Sequence, residues 1–442
     1  MSVRLLESLA TTDALADVFS DAALLSAMLR FEAALARAEA RAGVVPASTA
    51  DAIVAVPLEA FDAAALARAS RKSGTIATAF VDALIARVEA DAPAAAAAFV
   101  HWGATSQDVT DTALVLCLAR AKDVLAKDHA RLVAALRRLS DQHRDTVMLA
   151  RTLLQPAAPT TFGLKVAGWF GGTSRSYAGL AAAYRDACVT QFGGAAGTLA
   201  ALGPRGLAVA RDLARDLGLA LPDAPWHTHR ERLAALVASF GVYTGSLAKI
   251  ARDVTLLMQF EVAEAAEPGG GSSSMPHKRN PAGCAVVLAA ATRVPGLVSA
   301  FLSGMAQEHE RAVGGWHAEA TTIAAVVQSC GSALAATADL VETLTVDPDR
   351  MRRNLSGTRG VVFAERAMVL LSPALGRQGA RRAVGAAIEA VSAGGESFVR
   401  ALARDAEAAA VLGREAQNLD KPDDYLGSAE AFRRRLLGDE KD

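Results

Sequence analysis

The chain has little of what holds together a small secreted or metal-clipped domain. It contains four cysteines in 442 residues, Cys117, Cys188, Cys284 and Cys330. They lie far apart among Ala, Val, Leu or Ser, and no pair has redox or metal-ligand spacing. A disulfide framework is excluded, and buried or half-buried thiols in a reducing, cytoplasmic setting are expected. Excess charge is missing too. Lys plus Arg number 46 against 47 Asp plus Glu, so a polyanion such as nucleic acid is not an expected partner. Aromatic residues make up 5%, and alternating β-branched runs are nearly absent, so strands should be rare. The opening MSVRLLESLATTD has no long apolar core and does not read as a secretory signal. The apolar stretch 283–301 is interrupted by Arg293 and Pro295, which argues against a membrane span.

What is abundant is apolar side chains at helical spacing, in a chain that is 52% hydrophobic. Leu24, Met28, Phe31 and Leu35 step by four, three and four, and Leu132, Leu136, Leu139, His143 and Val147 do the same. From 230 to 264 the stripe runs through Leu233, Val237, Phe240, Leu247, Ile250, Val254, Leu257 and Glu261 without a proline, the mark of a bundle spine. A second long segment covers 285–346, where Pro295 should kink or restart the helix and Gly314–Gly315 should weaken it. The reading is an all-α protein. Its expected domains are an N-terminal helical domain (1–100), a central helical bundle (101–350) and a C-terminal helical domain (351–442).

Four polar segments interrupt this pattern. HWGATSQDVTDT (101–112) can cap a helix with Thr105 or Ser106 and place Asp108 in the first turn. That leaves His101 unexplained, and a helix start lined by hydroxyls can also bind an anion. RTLLQPAAPTTFG (151–163) reads as a helix break with polar Thr152 and Gln155. GGGSSSMPHKRNP (269–281) joins a loop able to move to a fixed cluster. Ser272 could be carried onto a substrate, while Lys278 and Asn280 offer a charge and an amide. It is not a phosphate-binding loop, because no Gly-Lys-Ser/Thr ends it. QEHERAVGGWHAE (307–319) sets Arg311 among acidic residues, as an ordinary helix ion-pair face would. Its histidines, and those of the His227–Thr228–His229 triplet, fit no standard zinc spacing, so neither metal nor cofactor is expected.

GSSSMPHKRNP (271–281) strongly resembles the signature loop of the fumarase/aspartase superfamily. The other three segments follow in that superfamily's order, with EHER as the helix segment after the loop. SDAALLSAMLRFEAALARAEARAGVVP (20–46) resembles the first long helix of its adenylosuccinate lyase and cycloisomerase group. HWGATSQD, GGWHAE (314–319) and YLGSAEAF (425–432) resemble the cycloisomerase branch in particular. The resemblance implies a three-domain fold with a central long-helix bundle, twenty core helices in a homotetramer, and active sites shared between subunits. It implies Ser272 and Lys278 as catalytic residues. His101, Thr105, Ser106, Thr152, Gln155, Asn280 and Arg311 would bind a small-molecule tricarboxylate. One departure selects the branch. Many lyases of the superfamily have His after the threonine of the second motif, where this chain has Leu153. Leucine cannot protonate a departing amine or hydroxide, whereas a carboxylate with a pKa near 4 leaves unprotonated. A lactone-forming cycloisomerase is therefore expected, with adenylosuccinate lyase or a related fumarate-releasing lyase as the alternative.

Overall fold

The computed structural model describes residues 5–92, 94–271, 274–275 and 277–439. Ser272, the expected acid/base, lies outside the described residues. The chain is all-α. Its principal helices are α1 (Asp21–Arg41), α2 (Ser106–Gln142), α3 (Phe162–Ala187), α4 (Glu231–Leu257), α5 (Ala282–Ser303), α6 (Gly315–Thr343), α7 (Pro348–Gly357) and α8 (Ala364–Ser392). The stripe on α1 is realised, with Met28, Phe31 and Leu35 each at most 1% exposed. On α4 all seven apolar members of the stripe are buried, each fully buried Leu or Phe contributing about 1.5–3 kcal/mol relative to exposure. Glu261 falls beyond the helix, which ends at Leu257.

The chain divides into two compact units. One comprises Met1–Ala130, Arg175–Ala248 and Val286–Ala336; the other comprises Arg131–Ser174, Lys249–Ala285 and Thr337–Asp442. In the first, an apolar cluster joins α1 to neighbouring shorter helices through Phe31, Ile53, Phe80, Leu84, Val209 and Leu213. In the second, Leu371, Val384, Phe398 and Leu402 organise a smaller core.

Three expectations need correction. Val147 does not continue the α2 stripe. The helix ends at Gln142, and Val147 opens strand β1 (Val147–Thr152), paired antiparallel with β2 (Gln155–Thr161). Two prolines cannot donate helical N–H bonds, and here Pro156 and Pro159 lie in a two-stranded ribbon with open edges. Pro295 does not restart its helix; α5 runs through it, and the break falls at 304–314, where Gly314 has φ +94°. The EHER segment lies within that break and is not helical, so Arg311 is not on a helix face.

By length and composition, α4, α5 and α6 are each long and apolar enough to cross a membrane. In the most apolar window of α4 and of α6, 50% and 67% of residues are buried, but in α5 only 22% are. The apolar run 283–301 is thus an intact helix, with Val287, Val294 and Phe301 buried and Val286, Leu288, Leu297 and Val298 half-buried. Of the four thiols, Cys117, Cys284 and Cys330 are buried and Cys188 is partly so. Burial pushes Cys117 up to about 11 and Cys330 up to about 12, so both stay protonated and inert at neutral pH.

Candidate functional site

The first motif forms the start of α2. Thr105 precedes the helix and its N–H donates to Asp108 Oδ2 at 3.0 Å, the reciprocal half of a capping box. Asp108 does more than cap. Its fully buried carboxylate also accepts from the N–H groups of Gly193 (3.1 Å) and Gly194 (2.9 Å), and lies 2.7 Å from His227 Nε2. His227 of the HxH triplet is therefore committed to this carboxylate. Among the described residues no group of three His, Cys, Asp or Glu side chains could hold a metal ion.

One turn further along, Asp111 meets Arg230, whose side chain is 0% exposed. The guanidinium bonds both Asp111 (2.7 Å) and Glu319 (2.5 Å), while Trp316 Nε1 donates to Asp111 and Gln307 Nε2 to Glu319. Burial pushes the Glu319 carboxyl above its ordinary value against the pull of Arg230. This network clamps the first turns of α2 and α6 to the residue just before α4. Sequence reading missed Asp111, Arg230 and Glu319 as a set, since nothing in their spacing marks three charges 119 and 89 residues apart as partners.

The same end of the unit gathers four expected site residues. Arg311 Nη1 donates to Thr105 Oγ1. Thr228 Oγ1 donates to the His309 carbonyl at 2.9 Å and so ties down the loop that carries Arg311. Ser106 begins α2. His101 has φ +58°, a left-handed backbone unusual for a residue with a side chain. Its Nδ1 lies 2.6 Å from Glu32 Oε1.

The second unit carries the rest. Thr152 and Gln155 are the last pair of the β1–β2 ribbon, flanking a two-residue turn in which Leu153 has φ +51° and Leu154 φ +64°. Two successive positive φ values make the mirror-image hairpin turn that favours Asn-Gly. Leucine is costly there, and these two are 97% and 72% exposed. Beneath them Arg151 grips the fully buried Glu264 with two bonds of 2.8 and 2.6 Å. A groove of about 720 Å³ borders the turn, lined by Leu154, Gln155, Arg151, Arg353, Asn354 and Thr358 among others.

The signature loop has a closed neck. Gly270 and Asn280 exchange both backbone hydrogen bonds, at 3.1 and 2.8 Å. A Cβ on Gly269, whose φ is +33°, would sit 2.5 Å from the Asn280 carbonyl, so the neck requires glycine. Glu267 accepts the N–H of Gly283 and of Cys284 and fixes the start of α5. Lys278 is exposed on the loop, and the half-buried Asn280 amide reaches the Gly271 carbonyl at 3.4 Å.

His101, Thr105, Ser106 and Arg311 are thus brought together in one unit, while Thr152, Gln155, Lys278 and Asn280 belong to the other, at a hairpin tip and a loop. The family model described as "Lyase" matches residues 7–296. A 3-carboxy-cis,cis-muconate cycloisomerase of Bradyrhizobium diazoefficiens is 45% identical over 98% of this chain and 97% of its own. A nitrosuccinate lyase of Streptomyces davaonensis is 41% identical over 95% of this chain and 91% of its own. The crystal structure of the 3-carboxy-cis,cis-muconate lactonizing enzyme from Pseudomonas putida superposes with a TM-score of 0.93 at 42% identity, covering 99% of this chain and 98% of that one.

Proposed function

The chain belongs to the lyase family of the fumarase/aspartase superfamily, and from that premise we propose that it converts 3-carboxy-cis,cis-muconate to 4-carboxymuconolactone, in the protocatechuate branch of the β-ketoadipate pathway. The likeness over almost the whole chain to enzymes of that name carries the reading. The hairpin tip fits it: Leu153 supplies no proton, and an internal carboxylate leaving group requires none.

In the lactonising direction a substrate carboxylate oxygen adds to a double bond conjugated with another carboxylate. Charge gathers there as an enediolate, which then takes a proton at carbon. Ser272 is assigned that proton transfer. Lys278 stabilises the growing charge, and Arg311, Asn280 and the hydroxyls of Thr105, Ser106 and Thr152 hold the carboxylates, with His101 and Gln155 beside them. The protein works in the cytoplasm without cofactor, metal, membrane or nucleic acid, and keeps the three-domain division 1–100, 101–350 and 351–442.

The assembly is a homotetramer with shared sites. Two observations support this. Only 22% of the residues in the most apolar window of α5 are fully buried in one chain, and a neighbouring copy would complete the burial of the half-covered Val286, Leu288, Leu297 and Val298. Thr152 and Gln155 also flank exposed leucines, which another subunit would cover. An inactive Ser272→Ala variant mixed with an inactive Arg311→Ala variant should then regain activity after subunit exchange.

One observation favours a second reading, the 41% identity to a lyase. An elimination whose leaving group departs as a stable anion would tolerate Leu153; adenylosuccinate, whose purine nitrogen needs a proton, would not be cleaved. Incubating the protein with 3-carboxy-cis,cis-muconate should abolish the diene absorbance. Fumarate release from a substituted succinate, with the diene untouched, would make it a lyase.

A further inference from the structure

The buried face of α1 carries two carboxylates in an otherwise apolar cluster. Glu32 and Glu39, each 1% exposed, stand among Phe31, Ala34, Leu35 and Ala38. A carboxylate placed there costs desolvation, and an apolar residue of similar size would give a more stable core. Glu32 Oε1 has one partner, His101 Nδ1 at 2.6 Å, and the buried Oε2 has none. His101 itself is held at φ +58°, a strained conformation that the surroundings must enforce. Three costly features therefore converge on one contact: a desolvated carboxylate, an unsatisfied oxygen and a left-handed histidine.

With Nδ1 directed at Glu32, the ring's other nitrogen is the one free to meet a ligand, and His101 stands four residues before Thr105, which Arg311 contacts. Resting on the cycloisomerase reading, we propose that Glu32 is a positioning residue: it accepts Nδ1–H and fixes the imidazole so that Nε2–H is presented to a carboxylate of the tricarboxylate substrate. The charged groups facing His101 are Glu32 on α1 and Asp108 on α2. Burial pulls the imidazole pKa down, but the charge and hydrogen bond of Glu32, with Asp108, outweigh it, leaving the ring above its ordinary value. Below that raised value His101 is cationic, as the carboxylate contact needs.

The test compares pH profiles of kcat/KM for wild type, Glu32→Gln, His101→Gln and the double variant, acting on 3-carboxy-cis,cis-muconate. Glu32→Gln should raise KM about tenfold and move the alkaline limb down by about one pH unit, because the imidazolium loses its counter-charge. In the His101→Gln background it should change neither. Glu32→Asp, which keeps the charge on a shorter arm, should hold the limb near its wild-type position, and it serves as the second variant should glutamine fail to fold. Equal losses from Glu32→Gln in both backgrounds, with the limb unmoved, would mean a merely structural role and would overturn the proposal. A His101→Gln enzyme with wild-type kcat/KM would remove His101 from the site and the positioning role with it, while wild-type turnover of the muconate would still stand for the function.

Discussion

The start of α2 and the signature loop both look polar in the sequence, yet the structure treats them oppositely. Around α2, Asp108, Asp111, Arg230 and Glu319 are buried and bonded to one another or to backbone. Around the loop, Lys278 is exposed, and the neck is tied by Gly270 with Asn280. Polar residues of the first kind are a scaffold whose removal costs stability. Lys278, of the second kind, is solvent-exposed, and its removal should cost catalysis rather than stability.

Arg230→Ala should break the first region most severely. It leaves Asp111 and Glu319 facing each other without a cation in a buried site, a loss of about 3–5 kcal/mol. Thermal unfolding should show a large fall in Tm, with turnover lost as the first turns of α2 and α6 separate. A variant of unchanged Tm would remove the network from the scaffold.

Ser272→Ala probes the opposite region. Turnover should fall on the order of 10²-fold, with Tm unchanged because the loop adds little to the core. Lys278→Ala should raise KM as well as lower kcat, since its charge meets a carboxylate in ground and transition states alike. Near-normal turnover in Ser272→Ala would move the proton transfer to another residue.

This contrast also separates what the sequence could reveal from what it could not. The stripes of α1 and α4 were legible because burial repeats with the helix period, and the loop was legible because its glycines and prolines are local signals. The ribbon at 147–161 was missed because its strands are short and proline-containing. The Arg230 network was missed because its partners are joined only by the fold. Glu32 was invisible for a related reason: a glutamate in an Ala-rich helix reads as solvated until the structure shows which face it occupies.

Glu39 sharpens the scaffold side through pH. Burial, with a smaller contribution from Glu32, pushes its carboxyl up to about 9 from 4.5. Between those values the folded protein holds a proton that the unfolded chain has released, so stability falls as pH rises, by up to about 1.4 kcal/mol per unit. Glu39→Gln, neutral at every pH, should therefore raise Tm, and by more at pH 8 than at pH 5. An equal gain at both would mean that Glu39 is already ionised in the fold.

The smallest effect is expected at the hairpin tip, where the two kinds of region meet in one turn. Leu153 and Leu154 hold positive φ values that leucine resists and Asn-Gly adopts readily. Replacing them as Leu153→Asn with Leu154→Gly should stabilise the ribbon by about 1–2 kcal/mol, since two side chains that are 97% and 72% exposed give up little burial in return. If the leucines form an apolar wall of a shared site, the same change should lower turnover: strain would have been retained for function. Leu153→His should leave the strain in place and put a polar ring where the wall was. Cycloisomerase activity should then fall or stay level, and no adenylosuccinate cleavage should appear. Full turnover in the Asn-Gly variant, together with its higher Tm, would separate the strained tip from the chemistry and leave Thr152 and Gln155 as the turn's contribution to the site.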